Sequence, residues 1–294
     1  MTFHEGTESL VSIVTPAYNE ETYIEENLKS VFRQDHPNIE HVVIDDGSTD
    51  DTPEILESYS NRSDLRIISQ ENEGLPNAVK TGFSRAAGDI VIWLNADDVL
   101  CKTNSASQVA KSMAEHGTTD VLYGPRLAIG PDNEILGIHV PDPRFSYDML
   151  KKRMFTSFIV FDGEIINRHS LNTDYQYAPD YEFALRLAKN GAEFRYVGEP
   201  IFAHRIHPER ITDQLTSEMR SEGKRCQREH GQEFNTMYRA YRKVDHVKTN
   251  VLRLFGLKHL YSIHNDRDRL AFDTELGSVS SSFKTQLNAL YTPF

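Results

Sequence analysis

A run of five apolar residues that ends in polar side chains constrains the fold of this chain more than any other segment. Residues 90–94 read Ile-Val-Ile-Trp-Leu, and residues 95–98 read Asn-Ala-Asp-Asp. Five consecutive apolar side chains cannot alternate between a core and solvent, so the run is typical of a strand covered on both faces, as in a parallel sheet. The sequence therefore predicts an α/β fold with a buried strand over residues 90–94.

The polar end of this strand indicates a ligand site. Open α/β sheets bind their ligands at the carboxyl ends of the strands, where Asn95, Asp97 and Asp98 fall. Two carboxylates and an amide, with no cysteine or histidine nearby, suit a hard cation such as Mg²⁺ or Mn²⁺, and such a cation suits a diphosphate. Because Asn and Asp also favour turns, a simple strand-ending turn is the alternative interpretation.

Strand and helix patterns alternate along the first hundred residues. Predicted strands cover residues 11–15, 41–44, 65–68 and 90–94, and predicted helices cover residues 20–34 and 75–87. The first strand is expected to end at Pro16, and a helix is expected to begin at Thr52, a cap residue followed by Pro53. A repeat of about 25 to 30 residues is the spacing of βαβ units, which predicts a right-handed, mostly parallel sheet.

The alternation loosens after residue 98. Predicted helices cover residues 105–116, 147–153 and 180–190, and predicted strands cover residues 121–123 and 195–197, with a hairpin strand near residues 135–137. From residue 216 the composition becomes charged and helical.

Composition limits the class of partner. The chain has 294 residues and a formal net charge of -12, which argues against nucleic acid as a partner. Its two cysteines, Cys101 and Cys226, have no metal-ligand spacing and form no disulfide framework. The first ten residues lack the basic and apolar regions of a secretory signal, and no stretch is long enough to span a membrane. We therefore expect a cytoplasmic protein.

Polar loops also follow the first two predicted strands, at the same sheet edge as residues 95–98. The carboxylate of Asp46 can accept a hydrogen bond from the imide N–H of uracil, while Pro16 and Tyr18 offer flat surfaces to a base. Gly-x-Gly-x-x-Gly and Gly-Lys-Ser/Thr loops are missing from the sequence, so dinucleotide and P-loop sites lack their phosphate cradles.

Five segments, in this order, resemble the motifs of glycosyltransferase family 2. They are Thr-Pro-Ala-Tyr-Asn-Glu at 15–20, Asp-Asp-Gly-Ser-Thr-Asp-Asp-Thr at 45–52, Glu-Asn-Glu-Gly at 71–74, Ala-Gly-Asp-Ile at 87–90 and Leu-Asn-Ala-Asp-Asp at 94–98. The resemblance implies the GT-A nucleotide-diphospho-sugar transferase fold, with helices flanking a mostly parallel central sheet. It also implies a GT-A domain over residues 1–215, whose nucleotide-sugar-binding half is 11–100 and whose acceptor half is 101–215, and a helical extension over residues 216–294.

The resemblance also assigns donor and metal residues. The residues that fall at donor-binding positions of the family are Pro16, Tyr18, Glu20, Asp46, Asn72, Lys80 and Asn95. Asp97 corresponds to the last carboxylate of the Asp-x-Asp motif, which is the direct metal ligand. Asn95 departs from the family, where most relatives have Asp, and the change removes a charge from the motif.

The segment Tyr-Ala-Pro-Asp-Tyr-Glu-Phe at 177–183 resembles the part of the family that carries the catalytic base. Asp180 is the matching carboxylate, at a predicted helix N-terminus where the helix dipole stabilises the charged form. Glu182 is the rival candidate, and a capping role for Asp180 is the structural alternative. The segment at 204–208 resembles an element of the family in which a histidine reaches the metal or the diphosphate. His207 is the better match to that histidine, and His204 is the weaker one.

Residues 248–264 form an amphipathic segment with a basic side. This pattern predicts either peripheral contact with the inner face of the cell membrane or a helix packed on its own domain or on a second subunit of a homodimer.

The implied function is metal-dependent, inverting transfer of a hexose from a nucleotide-diphospho-sugar, with a UDP-sugar favoured, to a hydroxyl of a growing glycan. A lipid-linked acceptor in cell-surface polysaccharide or glycoprotein assembly fits this function. Two other classes stay open. The first is a catalytically silent partner that binds a nucleotide-sugar, which Asn95 suggests because it replaces a carboxylate of the motif. The second is a sugar-1-phosphate nucleotidyltransferase, which would need a Gly-rich basic loop that residues 15–20 lack.

Overall fold

The structure, a computed structural model, describes residues 9–115, 117–139, 141, 143–152, 158–208 and 216–231. The helices are α1 (Ile24–Phe32), α2 (Thr52–Ser58), α3 (Leu75–Arg85), α4 (Ser105–Ala114), α5 (Tyr147–Lys152), α6 (Gly163–Arg168), α7 (Pro179–Lys189) and α8 (Thr216–Glu229). The strands are β1 (Val11–Ala17), β2 (Ile39–Asp45), β3 (Leu65–Ser69), β4 (Ile90–Trp93), β5 (Val99–Leu100), β6 (Val121–Tyr123), β7 (Arg126–Ile129), β8 (Ile135–His139), β9 (Phe158–Asp162), β10 (Phe194–Tyr196) and β11 (Phe202–Arg205).

The main sheet has seven strands in the order β10-β6-β9-β4-β1-β2-β3. Strands β4, β1, β2 and β3 are parallel neighbours, and β10 is parallel to β6. Strand β9 is antiparallel to both β4 and β6. The predicted mostly parallel α/β sheet is confirmed, with one antiparallel strand inserted in its middle.

Helices cover both faces of this sheet, as the apolar run of β4 predicts. Val91 and Trp93 lie in a cluster with residues of α3 and α7, whereas Ile90 and Ile92 lie in a cluster with residues of α1 and α4. All four residues of β4 are buried. The alternate side chains of this strand therefore pack against two different helical layers, which is why none of them is polar.

A second, smaller sheet has the order β5-β11-β7-β8 and was not predicted apart from its β7–β8 hairpin. Strand β5 is only two residues long and pairs with β11, where Phe202 lies opposite Leu100 and Ala203 lies opposite Val99. The sheet therefore ties the segment after residue 98 to the segment that contains His204.

Two local predictions were wrong. Strand β1 continues through Pro16 to Ala17, because β4 pairs with β1 only as far as Val14 and Pro16 needs no donor on that side. Thr52 is the first residue of α2 and does not cap it; its hydroxyl instead accepts a hydrogen bond from the backbone N–H of Glu20.

Helix α8 is the described part of the predicted helical extension. Its Cys226 is buried in the same apolar cluster as Tyr181 and Leu187 of α7, so α8 packs directly on the main body of the protein. The amphipathic segment at 248–264 lies outside the described residues. In the described part of the chain, none of the helices is both long enough and apolar enough to cross a membrane.

Candidate active site

The loops that follow β1 and β2 hold each other by reciprocal hydrogen bonds. Asn19 has a positive φ of 55°, and its side-chain oxygen accepts from the backbone N–H of Thr49 at 2.8 Å. In return, the backbone N–H of Asn19 donates to the hydroxyl of Ser48 at 3.0 Å. The two motifs recognised in the sequence are thus hydrogen-bonding partners of each other.

The same exchange continues two residues further along each loop. The backbone N–H of Glu21 donates to Asp50 at 3.0 Å, and the backbone N–H of Asp51 donates to the Glu21 carboxylate at 2.9 Å. Partial burial raises the pKa of Asp50, but hydrogen bonds from Thr52 and from the Glu21 backbone outweigh it and leave the pKa below its usual value. Asp50 is therefore charged at neutral pH, as its role as an acceptor requires.

Asp46 organises the loop that leads into α3. Its carboxylate accepts from Gln70 Nε2 at 2.7 Å, from Glu73 N at 3.1 Å and from Gly74 N at 2.8 Å. Asp46 is only 2% exposed. Gly74 has a φ of 85°, and a Cβ there would lie 2.9 Å from the side-chain oxygen of Gln176, so glycine is required at this position.

The other predicted donor residues lie at different depths around these loops. Pro16 is buried in β1, whereas Tyr18 is 47% exposed, an unusual exposure for a large ring. Asn72 is exposed, and its side chain accepts from Gly74 N at 3.2 Å. Lys80 is exposed on α3, and the contacts of the described residues do not join it to the Asp46 cluster. The structure thus brings together the residues from β1, β2 and the 71–74 loop, but not Lys80.

The polar residues that follow β4 make two kinds of contact. Asn95 accepts from the indole N–H of Trp93 at 3.0 Å, and its backbone carbonyl accepts from Asn27. Asp98 is 3% exposed and accepts from the backbone N–H of Arg205 at 2.9 Å, with His204 Nδ1 3.2 Å away. The Asp98 carboxylate thus binds β11 through Arg205 and His204, and a role for it beside Asp97 at a cation stays a prediction.

Arg205 supports the backbone of this site, a role that the sequence did not predict. Its side chain is fully buried, and Nε donates to the backbone carbonyl of Asp97 at 3.0 Å. The guanidinium also donates to the carbonyls of Gly130 and Pro131 and forms an ion pair with Glu26 at 2.6 Å. A charged residue between two histidines gives little sign of burial in a sequence, yet here it supports the backbone of the predicted metal ligand.

Asp97 and His207, the two predicted metal ligands, lie side by side. His207 Nε2 is 3.3 Å from Asp97 Oδ2, and the two side chains are 7% and 16% exposed. Within the described residues, the buried Nδ1 atom of His207 has no hydrogen-bond partner. No group of three or more His, Cys, Asp or Glu side chains in this part of the chain could hold a metal ion alone. A pair of ligands fits a cation that also binds diphosphate oxygens and water.

Asp180 and Glu182 occupy different environments on α7. Asp180, the second residue of the helix, is partly exposed and accepts from the backbone N–H of Tyr181 at 2.8 Å. Glu182 is 3% exposed, and both of its oxygens are held by Arg186, at 2.8 Å and 3.1 Å. The N-cap residue is Ala178, so Asp180 is not the cap. Asp180 is thus the more accessible of the two carboxylates, whereas Glu182 is buried and paired with Arg186.

The segment just before α7 is held by α8. Glu222 accepts hydrogen bonds from the backbone N–H groups of Gln176, Tyr177 and Ala178, at 2.9, 2.6 and 2.7 Å. The hydroxyl of the neighbouring Tyr175 donates to Glu229. Burial is the larger cause and this hydrogen bond the smaller cause of the raised pKa of that hydroxyl. The sequence analysis did not identify Glu222, because a glutamate in a charged helix resembles any solvent-exposed residue.

Comparison with known proteins agrees with this geometry. Residues 12–174 match the family described as Glycosyl transferase family 2. Among curated proteins, the chain is 28% identical over 221 residues to an uncharacterized glycosyltransferase, EpsJ, of Bacillus subtilis. That match covers 69% of this chain and 63% of the Bacillus protein, so the chain corresponds to somewhat less than two thirds of that relative.

Two solved structures share the fold. S. aureus TarS 1–349 in complex with UDP-GlcNAc has a TM-score of 0.57 and 22% identity, over 68% of this chain and 60% of TarS 1–349. The mannosyltransferase PcManGT from Pyrobaculum calidifontis, in complex with GDP-Man and Mn²⁺, has a TM-score of 0.55 and 18% identity, over 87% of this chain and 85% of its own. At these identities the likeness establishes the GT-A fold of the chain and no more.

Proposed function

The chain belongs to glycosyltransferase family 2, and from that premise we propose that it moves a sugar from a UDP-sugar to a hydroxyl of a growing glycan, with inversion at the anomeric carbon. The observation that carries the proposal is the contact between Asp97 and His207 at the carboxyl end of β4, beside the interlocked loops of β1 and β2. A nucleoside, a diphosphate and a cation would be recognised by neighbouring parts of one sheet edge.

In this proposal the nucleoside lies on the β1 and β2 loops. Tyr18 supplies an exposed ring and Pro16 a rigid strand end, while Asp46 accepts from the base or holds the 71–74 loop against it. The TarS complex with UDP-GlcNAc supports uridine, whereas the PcManGT complex shows that this fold also accepts GDP-Man. The remaining donor assignments are Glu20, Asn72, Lys80 and Asn95.

Asp97 and His207 would hold a divalent cation, Mn²⁺ or Mg²⁺, and such a cation would stabilise the charge that develops on the departing diphosphate. Arg205 keeps the Asp97 backbone in place by its bond to the carbonyl, and its own charge is neutralised by Glu26. The Mn²⁺ in the PcManGT complex supports this assignment.

Asp180 would act as the general base. As the acceptor oxygen attacks the anomeric carbon, its proton passes to the Asp180 carboxylate and the bond from that carbon to the diphosphate oxygen breaks. The attack comes from the face opposite the leaving group, so the configuration inverts and no covalent intermediate forms. Glu182 is unsuited to this role because it is buried and paired with Arg186.

The proposed acceptor follows from the family to which the chain belongs. A glycan hydroxyl, on a lipid-linked or free chain destined for the cell surface or for a glycoprotein, is the acceptor that we propose. The division into a donor half over 11–100, an acceptor half over 101–215 and an extension from 216 belongs to the same proposal.

The proposal is tested by a panel of UDP- and GDP-sugars with Mn²⁺, Mg²⁺ or EDTA. We expect one UDP-sugar to release UDP in a metal-dependent reaction, because water can replace the acceptor slowly. Asp97→Ala is the matched control and should release none. Calorimetric binding of a nucleotide-sugar without turnover on any donor or acceptor would contradict the proposal and favour the silent binding partner.

A further inference from the structure

Helix α8 makes an unusual contact with the segment that leads to Asp180. Three consecutive backbone N–H groups, of residues 176–178, converge on the single carboxylate of Glu222, at 2.6 to 2.9 Å. The Glu222 side chain is 11% exposed. Glu222 lies 44 positions after Ala178 and beyond the part of the chain that matches the family, which ends at residue 174.

This contact does the work of a cap for α7. The N-cap residue Ala178 has no side-chain acceptor, and Pro179 at the first helical position has no N–H. The Tyr181 N–H is taken by the Asp180 carboxylate itself. Glu222 therefore accepts, from another helix, the N–H of the N-cap residue, which a glutamate at the third helical position accepts in a capping box. Bonds between N–H groups and a carboxylate are stronger than neutral ones.

The same segment touches the donor side. Gln176 lies against Gly74, whose missing Cβ leaves room for the Gln176 oxygen, and the Gly74 N–H is bound to Asp46. Further bonds from α8 hold the preceding residues: Arg225 donates to the carbonyl of Asp174 at 2.8 Å. The position of residues 176–178 thus sets both the start of α7 and its contact with the 71–74 loop.

We propose that Glu222 is a positioning residue of the transfer reaction, which fixes residues 176–178 so that Asp180 is held at the donor. The inference rests on the proposed role of Asp180 as the base. Glu222 does not contact substrate in this account, and it acts only through the segment that it binds. Its loss should therefore slow the chemical step and leave binding of the nucleotide unchanged.

The experiment is a double-variant cycle in the full-length chain with Glu222→Gln, Asp180→Asn and the pair together. Glu222→Gln keeps the size of the side chain but turns an NH₂ group toward backbone donors. We expect kcat for transfer to fall about 10- to 100-fold with the Kd for UDP close to wild type, together with a lower melting temperature because buried backbone donors lose their acceptor. Glu218→Gln, an exposed substitution on the same helix, is the control and should keep wild-type kcat.

The double variant separates positioning from general stability. If Glu222 acts through Asp180, adding Glu222→Gln to Asp180→Asn should lower kcat by less than about twofold, because the base is already lost. Multiplied losses, an unchanged kcat in Glu222→Gln, or an equal loss of UDP affinity would overturn the inference while leaving the proposed function intact. Near-normal transfer by Asp180→Asn alone would instead remove the proposed base, and the inference with it.

If Glu222→Gln does not fold, Glu222→Asp takes its place in the cycle. It keeps the charge but withdraws the carboxylate by one methylene group, so kcat should fall several-fold in the wild-type background and not in the Asp180→Asn background. Equal losses in both backgrounds would overturn the inference.

Discussion

The proposed donor loops and the segments around the proposed base and metal ligands are held in place by different means. On the donor side, the β1 and β2 loops exchange hydrogen bonds over about 30 positions, as between Asn19 and Thr49. Near the proposed base, Glu222 of α8 binds the backbone just before Asp180, and at the proposed metal ligands Arg205, 108 positions from Asp97, binds the Asp97 carbonyl. The first arrangement is local and visible as motifs, whereas the second is assembled by distant elements.

Substitutions in these two kinds of region should therefore change different properties of the protein. Substitutions among the Asp97 and His207 ligands should remove donor binding and turnover, whereas substitutions in the long-range supports should change stability or kcat.

Asp97→Ala should lower transfer by at least about 10³-fold and remove metal-dependent binding of UDP, since a bound cation is worth several kcal/mol of charge stabilisation. The fold should persist, because Asp97 lies at the sheet edge outside the apolar clusters. Steady-state kinetics and calorimetry with and without Mn²⁺ measure both effects. Normal metal-dependent binding in this variant would show that the metal site is elsewhere.

Arg205→Met should lower the free energy of unfolding by about 1 to 3 kcal/mol, because it leaves the carbonyls of Gly130 and Pro131 without their buried donor. Urea denaturation measures the change. Arg62→Met is the matched control: its ion pair with Asp64 is exposed, so its loss should cost less than about 1 kcal/mol. Equal losses of unfolding free energy in the two variants would mean that the buried contacts of Arg205 stabilise the fold no more than an exposed ion pair does.

Acid should weaken the donor side through His41 on β2. Its Nε2 is 2.9 Å from the Thr15 hydroxyl of β1, and burial lowers its pKa to about 3, against a smaller opposite effect of Asp64. A lowered pKa means that stability is present above the unfolded value, about 6.5, and is lost as the pH falls toward 3. Between pH 7 and pH 5 the loss should be about 2 kcal/mol.

The measurement is urea unfolding at both pH values for wild type and His41→Gln. The glutamine variant cannot take up this proton, so its free energy of unfolding should fall by about 2 kcal/mol less over the same interval. An identical pH dependence in the two proteins would show that His41 is not responsible.

Asn95→Asp should tighten Mn²⁺ binding a few-fold by restoring a charge to the motif. One carboxylate oxygen can keep the bond from the Trp93 indole while the other faces the cation, so the fold should tolerate the change. Titration of Mn²⁺ in the presence of UDP measures it. Unchanged affinity would place Asn95 outside the ligands of the metal.

The sequence predicted the donor half well because its signals are short-range. The four parallel strands follow from apolar runs, and the resemblance brought Asp97 and His207 together although 110 positions separate them. Strand β9 has the same kind of apolar run as β4, but its antiparallel direction depends on the path of the chain, which no periodicity records.

Three residues whose structural contacts were not predicted share one physical property. Arg205, Asp98 and Glu222 are charged groups that are almost removed from water and satisfied by backbone atoms far along the chain. Composition assigns such residues to the surface, since most charged side chains are exposed. Their roles become visible only when the tertiary structure shows which backbone groups face them.

The proposed mechanism needs a donor site and a separate base at the same sheet edge, and the kinetics of Asp180→Asn test whether they meet there. With saturating acceptor, kcat for transfer should fall by about 10² to 10⁴-fold while the KM for the UDP-sugar stays within about twofold of wild type. Asn keeps the shape of Asp180 but cannot accept the proton. A kcat close to wild type would contradict the proposed mechanism, as would a loss confined to the KM of the donor.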